Sequence, residues 1–537
     1  MPLSYKVPGV YPTLEDKSTI VKGDSTSTAA IVGAAEFGPI DKRVLISDSR
    51  NYMDLFGKPN AKYSYMGYCA LNYLEEGSEL YVTRVVGSGA LMSSIKVNKV
   101  GASGATQASG GLSKTAILSN LFTSDTDAAF LLRAENPGDW GDKIKVEVTN
   151  VDNTENTFTI NVYQVIEGLD VLKESFPGLS RNPSAVDGYN KTIYHVNVLE
   201  KSSLFIRSHD NTTVSGLPQA VTPTLITGGD DGSLPTESDV AEGWDLYSNP
   251  DDIDIDLLLN GGYVTSTTFG VQTKMKAIAE SRRDCRALLD APLSELAMSP
   301  SSDLSDWRKT VQNFNTYFTS LDAPWIRIRD NINGGIELDI PTSGFTAQIM
   351  ARKDKVREPW NAAAGTQLTG NIGIISSSYF SILGLTINYT QTQQGVLYAD
   401  NNINVYRNKP GIGVVRWGQK TQQVKASALD RENVVTLSII IENNAKRYLD
   451  SAVFELNTKT VRSDISETLQ LFMGNIQARG GLYAFSVICD ETNNTSVVID
   501  NNELVVDIIY QPVKAAEFIR LRGTITKTGA SLAIAQY

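Results

Sequence analysis

Histidine and cysteine are scarce in this chain of 537 residues, which has 2 histidines and 3 cysteines. Cys69, Cys285 and Cys489 lie too far apart in sequence for a metal knuckle, and their odd number argues against a disulfide framework, so we expect buried thiols. His195 and His209 stand in no paired-ligand spacing, and the chain has no Gly-x-Ser-x-Gly motif. We therefore expect no zinc site and no hydrolase triad, and we expect both histidines to be surface or strand residues.

Two short motifs resemble parts of ligand sites but lack essential positions. The Asp-x-Asp-x-Asp run at 252–256 has the spacing of an EF-hand start, but Leu257 and Tyr263 stand where that loop needs glycine and glutamate. The run fits a strand with its carboxylates on one face. Gly261-Gly262 lies in neither a Gly-x-Gly-x-x-Gly nor a P-loop pattern, which favours a plain strand-to-helix turn. The sequence predicts no metal and no cofactor.

Basic residues are fewer than acidic ones: the chain has 48 basic and 60 acidic side chains, which gives a formal net charge of −12. Such a chain lacks the basic footprint that binds phosphate backbones or anionic membranes, so we expect no nucleic-acid partner. The longest apolar runs, such as 505–510, have the length of a strand, and residues 1–6 carry no apolar signal segment. The sequence predicts no membrane insertion, no secretory signal and assembly in a cytoplasm.

The acidic charge is concentrated in one region. Residues 101–260 hold 24 acidic and 9 basic side chains, a net charge of −15, whereas the rest of the chain holds 36 acidic and 39 basic ones. Mixed basic and acidic clusters lie at 282–286 and 352–357. Such clusters are usually solvated, and at an oligomer interface they would set the register of the subunits.

The apolar periodicity predicts a multidomain chain of mixed α/β and α+β type. An apolar run at 256–259, a helical pattern from Val271 and a second run at 287–289 form a β-turn-α-β unit, which is typical of a parallel sheet. The helix-strand pattern then repeats, with a predicted helix from Asp303 and a predicted strand at 325–328. Other predicted elements are strands at 28–32, 80–86, 143–148, 158–165, 194–199, 483–488, 504–510 and 518–527, and helices at 64–74, 437–449 and 461–476.

Short motifs in a fixed order give the chain a family resemblance. They include Pro-Gly-Val-Tyr at 8–11, Ala-Ile-Val-Gly at 30–33, Tyr-Val-Thr-Arg-Val at 81–85, Asn-Pro-Gly-Asp-Trp-Gly at 136–141, Gly-Gly-Asp-Asp-Gly at 228–232, Trp-Gly at 417–418, Cys-Asp-Glu-Thr-Asn-Asn-Thr at 489–495 and Gln-Pro-Val-Lys at 511–514. With these motifs, the chain resembles the contractile tail-sheath proteins of bacteriophages from residue 5 to about 528. It departs from the pattern at Pro12-Thr13-Leu14, where many relatives carry acidic residues.

The resemblance implies an architecture and a function. It implies an extended N-terminal arm at 1–24, an α/β middle domain at 25–90 and 241–380, a β-rich acidic insertion domain at 91–240 on the outer surface, and an α+β C-terminal domain at 381–537 that strands from neighbouring subunits complete. It also implies stacked six-fold rings around a tail tube, forming a helical sheath that contracts to drive the tube through the host envelope without nucleotide. The implied partners are further copies of this chain, the tube protein, and baseplate and tail terminator proteins; the implied location is the virion.

The resemblance also places residues at subunit contacts. An extended arm and an alternating C-terminal strand both offer backbone groups that pair with another chain. We expect intersubunit strand exchange to involve Tyr5, Val7, Val10, Tyr11, Ile519, Leu521, Ile525, Leu532 and Ile534. We expect Lys514, Arg520 and Arg522 to face the tube.

Three other functions stay open at this stage. The chain could be the sheath of a phage-derived bacteriocin or another contractile injection particle, which would contract by the same physical mechanism. It could be an enzyme built on the α/β core, although the motifs for one are missing. It could also be a capsid or baseplate protein.

Overall fold

The computed structural model describes residues 27–102, 107–108, 110–113, 121–122, 125–299, 302–367 and 370–521. Its strands, in chain order, are β1 (Ala29–Gly33), β2 (Val44–Ile46), β3 (Leu80–Arg84), β4 (Ser94–Asn98), β5 (Gln107–Ala108), β6 (Ala128–Ala134), β7 (Ile144–Asp152), β8 (Thr157–Ile166), β9 (Leu169–Leu179), β10 (Ile206–Asp210), β11 (Val221–Leu225), β12 (Leu257–Leu259), β13 (Arg286–Asp290), β14 (Met298–Ser299), β15 (Ser302–Asp303), β16 (Thr319–Ala323), β17 (Ile326–Asp330), β18 (Ile336–Ile340), β19 (Phe380–Leu385), β20 (Ile403–Lys409), β21 (Gly413–Arg416), β22 (Leu482–Ile488) and β23 (Asp507–Pro512).

The helices, in chain order, are α1 (Ser49–Phe56), α2 (Met66–Leu74), α3 (His195–Ser202), α4 (Glu237–Gly243), α5 (Gly270–Arg282), α6 (Leu304–Thr310), α7 (Ser343–Val356), α8 (Gln391–Gly395), α9 (Glu432–Asp450), α10 (Lys459–Ala478) and α11 (Ser496–Asp500). Short 3₁₀ turns lie at Asp139–Lys143, Trp244–Tyr247, Leu293–Glu295 and Ala428–Asp430, and a π-helical turn lies at Val396–Asp400. Among the described residues, no helix combines the length and apolarity needed to cross a bilayer.

A central sheet of eight strands, in the order β2-β3-β1-β12-β13-β16-β20-β21, organises the chain. Its six inner strands run parallel, and β2 and β21 close the two sides as antiparallel strands. Successive side chains of β1 lie on opposite faces of the sheet. Ile31 lies on the face covered by α2 and α7, and Ala30 and Val32 lie on the face covered by α4, α5 and α6. Both faces are apolar because helices cover both. The predicted parallel α/β unit is confirmed.

Two details of the predicted parallel unit are wrong. The strand expected at 325–328 exists as β17, but it pairs antiparallel with β18 and β19 in a separate sheet. The parallel strand is β16, whose buried Thr319, Ser320 and Asp322 broke the apolar signal that the prediction relied on. The Asp-x-Asp-x-Asp run does not form a strand but precedes β12, with the intervening Ile253 and Ile255 buried.

The region between the two halves of the central sheet is rich in β-strands, as predicted. Its sheets have the orders β10-β6-β4-β5 and β11-β7-β8-β9 and share a core around the stacked rings of Phe130 and Phe158. The strand expected at 194–199 is instead helix α3. Its sequence alternates like a strand, but His195 and Leu199, one helical turn apart, are the fully buried positions.

The C-terminal part packs α9 and α10 against a two-stranded antiparallel sheet of β22 and β23. Both helices match their predicted positions, and the helical spacing of Ile465, Leu469, Met473 and Ile476 supplies the buried stripe of α10. Strands β20 and β21 belong to the central sheet although they lie beyond residue 380. We therefore propose to move the boundary between the α/β and C-terminal domains to a point after Arg416.

Candidate assembly surface at the C-terminal sheet

The sheet of β22 and β23 has one covered face and one open face. Phe485 and Val487, with their register partners Tyr510 and Ile508, pack on the α9–α10 core. On the open face, Tyr483 and Ile509 have exposed fractions of 64% and 58%. Within the described residues each strand pairs only with the other, so both outer edges are unpaired in the ladder. A two-stranded sheet is marginal on its own, and its open edges are templates for strands of another chain.

The connection between the two strands is held by asparagine side chains. The Nδ2 of buried Asn494 donates to the Val505 carbonyl at 2.9 Å, and its Oδ1 accepts from the Val505 amide at 2.8 Å. Asn493 donates to the Ile488 carbonyl at 2.8 Å. These bonds give the motif at 489–495 a physical role, because they order the turn and so fix the register of β22 against β23.

The chain leaves this sheet as an exposed tail. The Val513 amide still bonds to the Gly481 carbonyl at 3.0 Å, and residues 513–521 form no regular secondary structure. Phe518, Ile519 and Leu521 have exposed fractions of 82%, 87% and 96%. Neighbouring large apolar side chains at this exposure are typical of a surface that another chain covers.

The predicted contact residues are placed only in part. Ile519 and Leu521 lie in this tail without a strand partner in the described chain, and Lys514 and Arg520 are exposed beside them. The remaining predicted residues lie outside the described part: Tyr5, Val7, Val10, Tyr11, Arg522, Ile525, Leu532 and Ile534. The roles of all twelve residues stay predictions.

A carboxylate that the sequence analysis missed holds the tail to the body. Glu517 accepts hydrogen bonds from Arg431 Nε at 2.7 Å, Gln419 Nε2 at 3.0 Å and Tyr398 Oη at 3.0 Å. Burial lowers the pKa of Arg431, but the hydrogen bond to Glu517 and its negative charge outweigh burial, so the pKa lies above its ordinary value. Burial and the Glu517 charge also raise the pKa of Tyr398. The tail is therefore fastened at one point between exposed residues.

The start of the described chain is fastened in a similar way. The Thr28 amide donates to the Asp256 carboxylate at 2.9 Å, and the Thr28 hydroxyl donates to Glu79 at 3.0 Å. Tyr73 donates from its hydroxyl to the carbonyls of Ser27 and Glu79. Residues 27 and 28, directly before β1, are thus tied to α2 and to the residues that precede β3 and β12.

A buried ionic group joins the C-terminal helices to the central sheet. Arg416 on β21 donates to Asp322 on β16 at 3.0 and 3.2 Å and to Glu432, the first residue of α9, with two bonds of 2.7 Å. Burial raises the pKa of Asp322 to about 6. Burial also opposes ionisation of Glu432, but the Arg416 charge prevails and holds its pKa below the ordinary value. The group couples α9 rigidly to the sheet.

Comparisons with known proteins agree with this architecture. Residues 424–526 match the family model described as phage tail sheath C-terminal domain. In solved structures, the chain is similar to a sheath tail protein from Listeria innocua, with a TM-score of 0.57, 12% identity and coverage of 91% of this chain and 96% of that one. A sheath tail protein from Desulfitobacterium hafniense gives a TM-score of 0.55, 11% identity and coverage of 94% and 100%. The chain has the tail sheath fold.

Sequence relatives support the same conclusion. The tail sheath protein of Enterobacteria phage T4 is 32% identical over 310 residues, covering 55% of this chain and 45% of the relative. That of Vibrio phage KVP40 is 26% identical over 456 residues, covering 75% and 66%. The chain thus spans about half to two thirds of the length of these curated relatives. The resemblance to contractile phage tail sheath proteins that the motifs predicted is confirmed.

Three of the sheath-like motifs meet where the central sheet joins the β-rich insertion. The guanidinium of buried Arg84, at the end of β3, donates to the carbonyls of Ala35 at 2.9 Å and of Gly38 and Pro137 at 3.1 Å. Asp231 accepts from the Asp139 amide at 3.1 Å. Gly138, at φ 130°, has no space for a side chain because a Cβ would lie 2.9 Å from Asp231 Oδ1. The motifs at 81–85, 136–141 and 228–232 therefore build a tight joint between two domains.

Side chains stand at the point where enzymes of parallel α/β type bind ligands. In such sheets the ligand lies outside the carboxyl ends of the strands where the strand order reverses, which is between β1 and β12 in this chain. Tyr263 crosses that position, and its hydroxyl oxygen accepts a hydrogen bond from the Ala34 amide at 3.1 Å. A Cβ on Gly33 would meet Met66 and Tyr263 at 3.0–3.1 Å. Met66 and Tyr263 therefore occupy part of this crevice.

The scarce histidines and cysteines take structural positions. His195 is buried, not on the surface or in a strand as expected, and its ring bonds to Ser208 at 2.7 Å and Asp210 at 3.2 Å. His209 lies on β10 as expected, and burial lowers its pKa to about 4. The three cysteines are buried, as predicted. Among the described residues, no three His, Cys, Asp or Glu side chains are grouped as metal ligands.

Proposed function

We propose that this chain is the sheath subunit of a contractile phage tail. It polymerises as stacked six-fold rings around the tube and contracts to drive the tube through the host envelope during genome delivery. The observation that carries the proposal is the open sheet of β22 and β23 beside the exposed apolar tail, in a chain with the tail sheath fold. An N-terminal arm and a C-terminal strand from neighbouring copies would extend this sheet on both edges.

The proposed contraction is a movement of rigid bodies joined by exchanged strands. The Arg416 group and the Arg84 joint support it, because they tie the C-terminal helices and the insertion to the central sheet. The contracted state would bury more apolar surface between bodies. About 100 Å² of additional apolar burial per subunit would contribute about 2.5 kcal/mol, which adds up over every ring. No catalysis and no cofactor are needed.

The other proposed partners are the tail tube, the baseplate and the tail terminator. The proposed location is the virion tail after assembly in the host cytoplasm, without membrane insertion or nucleic-acid binding. The net charge of −15 over residues 101–260 suits an outer surface, since like charges would keep tails apart in solution. The sheath of a contractile injection particle is the second candidate, because the contracted PVC sheath aligns over 97% of this chain and 98% of its own at a TM-score of 0.54 and 15% identity.

The test is assembly of the purified full-length chain and of a variant lacking residues 1–12, followed by negative-stain microscopy. We expect tubes of stacked rings from the full chain, and a folded monomer with an unchanged far-UV circular dichroism spectrum from the truncated chain. Normal tubes from the truncated chain would contradict the role of the arm. Persistent monomers of the full chain at high concentration would contradict the proposed function.

A further inference from the structure

The tail and its sheet present a mechanical problem if subunits are joined through the tail. Strand β23 is an edge strand, held by a ladder of backbone hydrogen bonds to β22 that ends at Val513. A pull on residues 518 onward would load the last of these bonds first and open the ladder one bond at a time. Under a pull directed away from β22, the strand resists peeling poorly, because its hydrogen bonds are loaded one after another and not together.

Glu517 lies between that ladder and the exposed apolar residues. Its side chain is 17% exposed, and its three donors come from separate places: the π-helical turn at Val396–Asp400, Gln419, and Arg431 directly before α9. Bonds between a carboxylate and a guanidinium are among the stronger hydrogen bonds in proteins. Arg431 also adjoins Glu432, which belongs to the buried Arg416 group. Glu517 therefore connects the tail to a residue directly beside the buried Arg416 group.

We propose that Glu517 is a mechanical anchor that transfers tension from the C-terminal tail into the central sheet and so protects the β22–β23 pairing. The inference rests on the proposed function, because tension requires that the tail be bound by a neighbour. Glu517 acts as a positioning residue: it fixes the point from which residues 518 onward reach that neighbour. Tyr398, Gln419 and Arg431 are the corresponding anchor points on the body.

The first test uses the unassembled chain and follows trypsin cleavage after Lys514 by intact mass spectrometry. Lys514 is exposed, and cleavage there requires residues on both sides to leave the body. Glu517→Gln should speed this cleavage about tenfold, the effect of losing a hydrogen bond to a charged group, with an unchanged Tm. Tyr398→Phe should speed it less, and adding it to Glu517→Gln should change little further, because both act on one contact. The control Glu503→Gln, an exposed carboxylate before β23, should leave the rate unchanged.

The second test uses assembled tubes. Tubes of Glu517→Gln should dissociate at a lower urea concentration than wild-type tubes, and their β23 amides should exchange hydrogen faster than those of wild-type tubes. In the unassembled chain, the β23 amides of the variant and of wild type should exchange at the same rate. Equal cleavage after Lys514 in wild type and Glu517→Gln would overturn the anchor, and so would equal tube stability. A wild-type chain that forms no tubes would instead contradict the proposed function, while the cleavage rates would still decide whether Glu517 holds the tail.

Discussion

Replacing Arg416 with methionine should destabilise the fold by an amount that depends on pH. The side chains of Arg416 and Asp322 are 0% exposed and that of Glu432 is 2% exposed, so solvent does not screen the group. Removing one partner from a buried ion pair costs about 3–5 kcal/mol. In the variant, Asp322 would lose its cation and Glu432 would keep only the nearby Arg286, so both carboxylates would shift towards their protonated forms.

The pH dependence follows from the position of these pKa values. Burial raises the pKa of Asp322 to about 6 even beside Arg416, and without the cation it must rise further, above the unfolded value of about 3.9. The folded state then binds more protons than the unfolded state, so stability falls as pH rises through this window, by about 1.4 kcal/mol per pH unit for each such carboxylate. The loss in Arg416→Met should therefore be largest at pH 8 and considerably smaller at pH 5.5.

Urea unfolding at both pH values measures this difference, with Arg329→Met as the control. Arg329 and its partner Glu337 are about half exposed, and an exposed pair is worth about 0.2–1 kcal/mol, so the control should lose little at either pH. A loss below about 1 kcal/mol at pH 8, or an equal loss at both pH values, would show that Arg416 does not neutralise a buried pair of carboxylates.

Three further outcomes can be checked on the same protein. Ile509→Lys should change the unfolding free energy by less than about 0.5 kcal/mol, because the side chain is 58% exposed, yet abolish tubes in negative stain; tubes at wild-type yield would mean that this face is not a contact. Arg84→Met removes the guanidinium donor from the buried carbonyls of Ala35, Gly38 and Pro137, the last of which also accepts from the Trp140 indole, so it should cost about 1–3 kcal/mol and speed hydrogen exchange around Pro137; unchanged exchange there would argue against the joint. Burial raises the pKa of Asp256, and nearby carboxylates add to the effect. The variant Asp256→Asn keeps an acceptor for the Thr28 amide, so it should be at least as stable as wild type at pH 8 and lose less stability between pH 5 and 8. A lower Tm of the variant at pH 8 would contradict this.

The elements that were predictable from the sequence are those with a strong local apolar pattern. Helix α10 repeats buried residues at steps of three and four, and β12 and β13 are short apolar runs that flank α5 in the α/β pattern. Strand β16 was missed because its buried side chains are polar and bond to partners far along the chain, as Asp322 does with Arg416, 94 residues away. Helix α3 was missed because a run alternating in polarity is compatible with a strand until tertiary packing selects its buried positions.

Only part of the candidate assembly surface could be predicted from the sequence. The alternating residues from Phe518 onward predicted a strand that pairs with another chain, and the motif at 489–495 contributed to the family resemblance. Nothing local marks Glu517, because its role depends on three donors that lie 86 to 119 residues away in sequence. A single acidic residue in an exposed segment has no pattern of its own, so only the folded chain reveals that it is an anchor.

The most direct measurement is a cryo-EM reconstruction of the polymer formed by the purified full-length chain. We expect a helical tube of six-fold rings in which the sheet of β22 and β23 is extended at its edges by strands from neighbouring copies, with Glu517 still bound to Arg431. A chain that stays monomeric, or a polymer in which this sheet remains two-stranded, would contradict the account.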